Sequence, residues 1–140
     1  MKKLLLLPIL LLSLISTPCL SETIVDLVER DGIYYKKFTE TPFTGKIIGR
    51  EQGRIKNGKR DGAWVKYHDN GQLNNQGSYK NGEKGGDWVW YHDNGQLEVK
   101  GSYKNGKEEG DWVWYNDNGQ LEEKGSWRNG EPEGEWVYSD

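Results

Sequence analysis

Residues 101–121 read GSYKNGKEEGDWVWYNDNGQL, and closely similar stretches recur at a spacing of 24 residues. Each copy holds two Asn-Gly dipeptides, which favour tight hairpin turns because both residues tolerate a positive φ. The seven dipeptides are alternately 13 and 11 residues apart, and they begin at Asn57, Asn70, Asn81, Asn94, Asn105, Asn118 and Asn129. The alternation predicts two kinds of turn, and therefore two strands, in each repeat. A period of this length is typical of a repeat array.

The repeats occupy residues 53–140, with full copies at 53–76, 77–100 and 101–124 and a partial copy at 125–140. Residues 22–52 are less regular and are predicted to form an N-terminal cap with one short irregular hairpin. Apolar residues alternate between glycine-rich turns, and no helical periodicity appears after residue 21. The predicted fold is all-β: one elongated domain built as an extended antiparallel sheet of stacked β-hairpin repeats.

A two-residue turn at Asn94-Gly95 would fix which residues face one another across a hairpin. It places Trp88 opposite Gly101, Trp90 opposite Val99, Tyr91 opposite Glu98 and His92 opposite Leu97. Because glycine has no Cβ, we expect each indole to lie flat across the glycine that it faces. The predicted structural anchors of the repeats are therefore Trp64, Trp88, Trp112 and Trp136, with Gly77, Gly101 and Gly125.

The aromatic residues fall on two faces of the predicted sheet. The tryptophan row is predicted to be the core together with Tyr79, Tyr103 and Trp127, and a second row is predicted to be its rim, formed by Lys66, Trp90 and Trp114. The opposite face carries a ladder of tyrosines beside charged neighbours: Tyr67, Tyr91 and Tyr115. These rings could stack on sugars, anchor a partner protein, or only stabilise cross-strand pairs.

The first 21 residues have the composition of a secretory signal peptide. Lys2 and Lys3 precede the apolar run 4–15, and small residues follow it. We expect cleavage after Ser21, or alternatively after Cys19, and export to the periplasm or the medium. Cys19 could instead be the lipid-modified residue of a bacterial lipoprotein, and membrane contact is expected only in that case.

The charge of the chain argues against nucleic acid as a partner. The formal net charge is −3, and it becomes −5 when Lys2 and Lys3 leave with the signal peptide. Proteins that bind nucleic acid present a basic face, and docking on anionic membranes also requires basic residues.

No catalytic, metal or cofactor site is predicted. The sequence has one cysteine, Cys19, and two histidines, His68 and His92. The histidines occupy the same position in successive copies, so they should lie ~10 Å apart, too far to share one metal ion. Glu98 and Glu122 are separated in the same way and are predicted to be solvated charges. We therefore predict that the protein is not an enzyme.

The pattern Gly-x-Tyr-Lys-Asn-Gly-Lys-x-x-Gly-x-Trp-x-x-Tyr-x-x-Asn-Gly resembles the MORN repeat, in the bacterial variant whose members are often labelled antitoxin-like. The resemblance covers residues 53–140 and departs from the pattern near its start, where Ile47 stands at the position of a tryptophan. It implies an extended sheet of hairpins that binds or scaffolds proteins or lipids.

The function expected from these features is that of an exported, non-catalytic interaction protein with an unidentified protein partner. An antitoxin or immunity role fits an exported chain only when the toxin acts outside the cytoplasm. The alternative is a module that binds envelope glycan or cell wall through exposed aromatics, since the hairpins partly resemble choline-binding modules. Self-association through the last strand, residues 135–138, is a further expectation, because an edge strand has unpaired backbone groups.

Overall fold

The computed structural model describes residues 20–139, so the predicted signal peptide up to Cys19, and the final residue of the last copy, lie outside the described residues. The described residues form a short 3₁₀ helix (Ile24–Asp26) and twelve strands. The strands are β1 (Ser21–Thr23), β2 (Leu27–Arg30), β3 (Ile33–Lys36), β4 (Gly45–Ile48), β5 (Glu51–Lys56), β6 (Lys59–Tyr67), β7 (Leu73–Lys80), β8 (Glu83–Tyr91), β9 (Leu97–Lys104), β10 (Lys107–Tyr115), β11 (Leu121–Arg128) and β12 (Glu131–Tyr138).

Ten of these strands form one sheet in the order β1-β4-β5-β6-β7-β8-β9-β10-β11-β12, about 43 Å wide at the usual strand spacing. The all-β prediction is therefore confirmed. The repeats pair antiparallel as predicted, and the one parallel pair among the described strands lies before them, where β1 pairs with β4. The chain between them forms the separate hairpin β2–β3, and such a crossover returns the next strand in the same direction.

The two predicted kinds of turn are present in each repeat. Asn81 and Gly82 both have positive φ (51° and 86°), which makes a two-residue turn of type I′. At the other turn, the Gly95 N–H donates to His92 O (2.9 Å) and Gly95 has a φ of 85°. That turn contains three residues, Asp93 to Gly95, and so it is one residue longer than predicted.

The longer turn changes the register next to it. Trp88 pairs with Gly101 and Trp90 with Val99, as predicted. A bulge then follows, so Tyr91 pairs with Leu97 rather than with Glu98, and the His92 N–H donates to Gln96 O (2.8 Å). The predicted pairs Tyr91–Glu98 and His92–Leu97 are therefore wrong. The extra turn residue has to be absorbed by one strand, and a bulge absorbs it.

A second bulge positions each tryptophan. Between β7 and β8, the pair Gln76–Val89 is followed by Ser78–Gly85, so three residues of β8 lie opposite Gly77. Gly86 within this bulge has a φ of 64°, which side chains rarely allow. The bulge places the Trp88 indole over Gly77, where an added Cβ would lie 2.2 Å from the ring.

The indole that covers a glycine is therefore not the one predicted. Trp64 does pair with Gly77 in register, but the ring lying on Gly77 belongs to Trp88, on the following strand. The same contact recurs as Trp64 on Gly53, Trp112 on Gly101 and Trp136 on Gly125. Each tryptophan thus packs backward onto the preceding strand of the sheet.

The best buried part of the molecule lies at the N-terminal end of the sheet. Its cluster consists of Leu27, Phe43, Ile47, Ile55 and Trp64. Ile47 pairs with Gly53 in hairpin β4–β5 and is fully buried, so isoleucine occupies the tryptophan position there. Hairpin β2–β3 joins this end through the Tyr34 N–H, which donates to Gly58 O (2.8 Å).

Candidate functional site

The tryptophan face is the face of the sheet on which the side chains of Trp64, Trp88 and Trp112 lie. These three rings are buried, as predicted for a core row, with 3–5% of each residue exposed. Trp136 is only half-buried, because β12 is the last strand and has a neighbour on one side. Tyr79 packs edge-on between Trp64 and Trp88, at ring-centroid distances of 5.9 and 5.1 Å.

Five indoles on this face form a continuous ladder. Successive ring centroids lie 5.6–5.8 Å apart and the ring planes are inclined by 28–33°. The order of the rings is Trp88, Trp90, Trp112, Trp114 and Trp136. Trp90 and Trp114 of the predicted rim are half-buried members of the ladder, whereas Lys66 is exposed.

The ladder is interrupted between Trp64 and Trp88, where Lys66 occupies the position of Trp90 and Trp114. Lys66 turns aside toward Glu51, and its Nζ lies 3.6 Å from Glu51 Oε1. A hollow of about 260 Å³ remains, which we call the ladder gap. Its lining consists of Glu51, Arg60, Trp64, Val65, Lys66, Asn75, Tyr79, Lys84 and Trp88.

Two cations on the tryptophan face lie over aromatic rings. The Arg60 guanidinium is 4.4 Å from the Trp64 ring centroid, and its Nη2 is 3.0 Å from Glu51 Oε2. The Nζ of Lys84 lies 4.6 Å from the Trp88 centroid, and it also approaches the rings of Trp90 (5.1 Å) and Tyr103 (4.8 Å). Burial lowers the pKa of Lys84, while Glu108 acts in the opposite direction. Contacts of this kind are worth about 0.5–2 kcal/mol each.

Sequence reasoning did not identify Arg60 and Lys84 as part of this face. Both follow a type I′ turn, and each is the second residue of its strand, β6 or β8. The third copy has Glu108 at the same position. The signal that could have found them is that a charged residue recurs at one register position beside the aromatic row.

Tyr103 gives a measurable pH dependence. Burial raises the pKa of Tyr103 to about 12, and Glu108 acts in the same direction. An unfolded tyrosine loses its proton near pH 10, so between about pH 10 and 12 only the folded chain retains it. Stability should therefore fall as the pH rises through this window. We expect Tyr103→Phe to show a smaller fall than the wild type in urea unfolding at pH 9.5, 10.5 and 11.5.

Tyr138→Phe is the control for that measurement, because Tyr138 is 66% exposed. This variant should follow the wild-type pH dependence. The interpretation is contradicted when Tyr103→Phe and the wild type lose stability equally over the window.

The opposite face, here called the tyrosine face, carries the predicted ladder of Tyr67, Tyr91 and Tyr115. Each of these residues is half-buried, and within residues 20–139 none packs ring to ring with another aromatic side chain. Their cross-strand partners are leucines rather than charged residues: Leu73, Leu97 and Leu121. A shallow groove of about 480 Å³ on this face is lined by Val89, Lys100 and Val113 among others.

The histidines join neighbouring repeats. The Nε2 of His68 lies 2.7 Å from Tyr91 O, and the Nε2 of His92 lies 2.9 Å from Tyr115 O. Because a carbonyl oxygen only accepts, both histidines carry their proton on Nε2 in these bonds. Asn70 Nδ2 likewise donates to Asp93 O (2.6 Å). The turns are thus tied from one repeat to the next by histidine and asparagine.

In the part of the chain that the structure describes, no group of three or more His, Cys, Asp or Glu side chains could hold a metal ion. No helix among these residues is long and apolar enough to cross a membrane.

The comparison with protein families matches three consecutive stretches to the family described as MORN repeat variant, at residues 60–81, 84–105 and 108–129. Each stretch holds one hairpin of the sheet: β6–β7, β8–β9 or β10–β11. No match to a curated protein was found. MORN repeats occur in binding and interaction proteins and are generally non-catalytic modules. The observed hairpins, their 24-residue period and the three matched stretches agree, and the chain belongs to the MORN-repeat proteins.

Proposed function

We propose that the protein is an exported, non-catalytic binding protein whose ligand is another protein, contacted through the tryptophan face. The observation that carries this proposal is the indole ladder, whose members Trp90 and Trp114 stay half-exposed. Tryptophan, tyrosine and arginine are the residues most enriched at energetically important positions of protein interfaces. Hairpin β2–β3 packs at the N-terminal end only, so strands β8–β12 lack a second layer among the described residues.

The charge pattern of this face also favours a protein ligand. Two cations and a carboxylate occupy the same position of successive repeats beside the aromatic rings. They are Arg60 on β6, Lys84 on β8 and Glu108 on β10. A mixed row of this kind selects a partner by charge complementarity as well as by shape. A surface of a single sign would be expected for a nucleic acid.

Export is supported by residues 1–21, with two lysines before an apolar run. Leu20 bears on where the leader would be cut, because Leu20 O accepts a hydrogen bond (2.9 Å) from the N–H of Lys46 in β4. Cleavage after Cys19 would keep this bond and all of β1, whereas cleavage after Ser21 would remove both Leu20 and Ser21. An antitoxin-like role would then concern a toxin that acts outside the cytoplasm.

The experiment that tests this function is affinity capture of the tagged full-length chain from the exported fraction, with chemical cross-linking. We expect a stoichiometric protein partner, and the mass of the recovered chain should correspond to cleavage at residue 19 or 21. Trp90→Ser/Trp114→Ser should reduce capture at least about tenfold, since exposed aromatics commonly contribute 1 kcal/mol or more each at interfaces. Tyr91→Ala/Tyr115→Ala is the matched control on the opposite face and should capture normally.

A glycan ligand is the second candidate, and the unpacked tyrosine ladder is the observation that favours it. Tyr67, Tyr91 and Tyr115 are equivalent residues of successive repeats, so their rings recur every ~10 Å, a spacing that suits a repetitive polymer. In this case Tyr91→Ala/Tyr115→Ala would lose retention on cell-wall material while Trp90→Ser/Trp114→Ser kept it. That result would overturn the proposal of a protein ligand on the tryptophan face.

Self-association is a third property that the same samples would report. Val137 and Tyr138 on the edge strand β12 are 46% and 66% exposed, and the strand has one sheet neighbour. An exposed edge of this kind can pair with a second copy. Light scattering of the purified chain separates such pairing from binding of a different protein.

A further inference from the structure

The ladder gap is a missing position in an otherwise regular row. The position between Trp88 and Trp112 is filled by Trp90, whose ring lies 5.7 Å from each of them. In the next repeat, Trp114 lies 5.8 Å from Trp112 and 5.6 Å from Trp136. The equivalent position between Trp64 and Trp88 holds no ring, because residue 66 is lysine and its side chain leans toward Glu51.

The repeats themselves show what fits this position. Trp90 has Trp88 on its own strand, Trp112 two strands away and Tyr103 across the hairpin at 6.4 Å. The gap has the same three walls one repeat earlier, formed by Trp64, Trp88 and Tyr79. Tyr79 meets both tryptophans edge-on, as Tyr103 meets Trp88 and Trp112. A planar aromatic group therefore has a prepared site between the two indoles.

The charged residues around the gap indicate which chemical group should accompany an aromatic ring bound in it. Three cations line the gap, Arg60, Lys66 and Lys84, against one carboxylate, Glu51. Glu51 is shared, since it contacts both Arg60 (3.0 Å) and Lys66 (3.6 Å). Glu108 acts on Lys84 but does not line the gap. An acidic group at the mouth of the gap would complete the pairing of these cations.

We propose that the ladder gap is a binding pocket for an aromatic side chain of the partner protein, with a separate carboxylate group of the same partner lying next to that side chain. This inference rests on the proposed function and names the chemistry of the partner's contact. The aromatic ring stacks between Trp64 and Trp88 and completes the ladder, and the carboxylate binds Arg60, Lys66 or Lys84. Fully packed aromatic residues of this kind dominate the affinity of many protein interfaces.

Small probes test the pocket without knowledge of the partner. The indole N–H resonances of Trp64 and Trp88 are followed by NMR during titration with N-acetyl-tryptophan, N-acetyl-tryptophanamide, tryptamine and N-acetyl-leucine. N-acetyl-tryptophan should shift both resonances and bind about threefold more tightly than the neutral amide, as expected for a partly exposed ion pair. Tryptamine should bind more weakly than the amide. Equal shifts with N-acetyl-leucine, or shifts confined to Trp114 and Trp136, would overturn the proposal.

The decisive variant is Lys66→Trp, which supplies from the chain the ring that the gap lacks. This protein should bind N-acetyl-tryptophan at least about tenfold more weakly, because the position of the ligand is occupied, and it should resist urea better because the added indole is packed. Lys100→Trp makes the same substitution at an exposed strand position on the tyrosine face and should bind normally. Unchanged probe affinity in Lys66→Trp would contradict the proposal.

Lys66→Ala is a second variant that still tests the pocket when Lys66→Trp misfolds. It leaves the gap open and removes one cation, so it should still bind N-acetyl-tryptophanamide, while the difference in affinity between the carboxylate probe and the amide should shrink.

Capture of the partner protein distinguishes a failure of the pocket from a failure of the proposed binding function. Equal capture by the wild type and Lys66→Trp would refute the pocket and leave the binding function intact. Probe binding in the gap without any captured protein would refute the protein partner and leave the aromatic pocket.

Discussion

Trp88→Ala should lower the free energy of unfolding by about 3–5 kcal/mol, the range typical of a buried large aromatic residue. Trp88 is 3% exposed and lies directly on Gly77. Its ring also packs edge-on with Tyr79 (5.1 Å), and its Nε1–H donates to Ser78 O (3.2 Å). All of these contacts are lost in the variant, and a cavity forms between hairpins β6–β7 and β8–β9. Urea unfolding followed by circular dichroism measures the loss.

Trp136→Ala is the matched control for this result. The Trp136 indole covers Gly125 in the same way, but it lies on the last strand and is half-buried. Its truncation therefore removes less packing, and it affects one end of the array rather than the contact between hairpins β6–β7 and β8–β9. We expect a loss of stability well below that of Trp88→Ala. Equal losses in the two variants would show that the interior junctions are not the strong contacts.

Gly101→Ala should destabilise the protein by at least about 1–3 kcal/mol, as expected for overpacking. An alanine Cβ at this position would lie 2.1 Å from the Trp112 ring, well inside any allowed contact. The ring cannot retreat easily, because Trp90 and Trp114 stack on its two sides at 5.7 and 5.8 Å. The melting temperature and the urea midpoint should both fall.

Gly85→Ala provides the comparison at a glycine with free space. Nothing lies within 4 Å of the added Cβ at Gly85, and its φ is outside the positive range. Alanine is better than glycine in the middle of a strand by about 0.5–1 kcal/mol, so this variant should be neutral or slightly stabilised. A similar destabilisation in both variants would mean that contact with the indole is not the reason for glycine at residue 101.

The Asn-Gly alternation was sufficient to predict the strands and the existence of two turn types. It was not sufficient to predict the length of each turn, because that length depends on whether the asparagine itself adopts positive φ. Asn81 does (51°), whereas at the other turn Gly95 takes the positive φ, so Asp93 joins the turn. A difference of one residue then changed the partner of Tyr91 from Glu98 to Leu97.

The tryptophan contacts were predictable only in part for a related reason. Register arithmetic through the turn at Asn94 correctly paired Trp88 with Gly101, but a side chain can lie over a different strand from the one that its backbone faces. The deciding feature is the bulge at Gly86, which turns the indole toward Gly77. The recurrence of a glycine two residues before each tryptophan was visible in the sequence, and a positive φ at a bulge explains it.

The position of the candidate site could be predicted from the sequence more readily than its shape. Alignment of the repeats shows that Lys66 stands at a position that is tryptophan in two later copies. The gap itself depends on where Lys66 points, and that direction is set by Glu51 on the neighbouring strand and by the Arg60 contact with the same carboxylate. The direction of a long, flexible side chain cannot be predicted until the positions of its interaction partners are known.

The backward packing of each tryptophan gives the array a direction. Each of the hairpins β6–β7, β8–β9 and β10–β11 places an indole on a glycine of the strand before it and receives an indole on its own glycine from the strand after it, so the contact between glycine and indole is the same at each of these junctions. A duplicated 24-residue unit inserted at any such junction would meet the same glycine on one side and the same indole on the other. The sheet can therefore lengthen by gene duplication in steps of two strands, about 10 Å each, while both ends keep their own contacts. The length of the sheet is thus set by the number of copies, and it can change without redesign of the contacts at a junction.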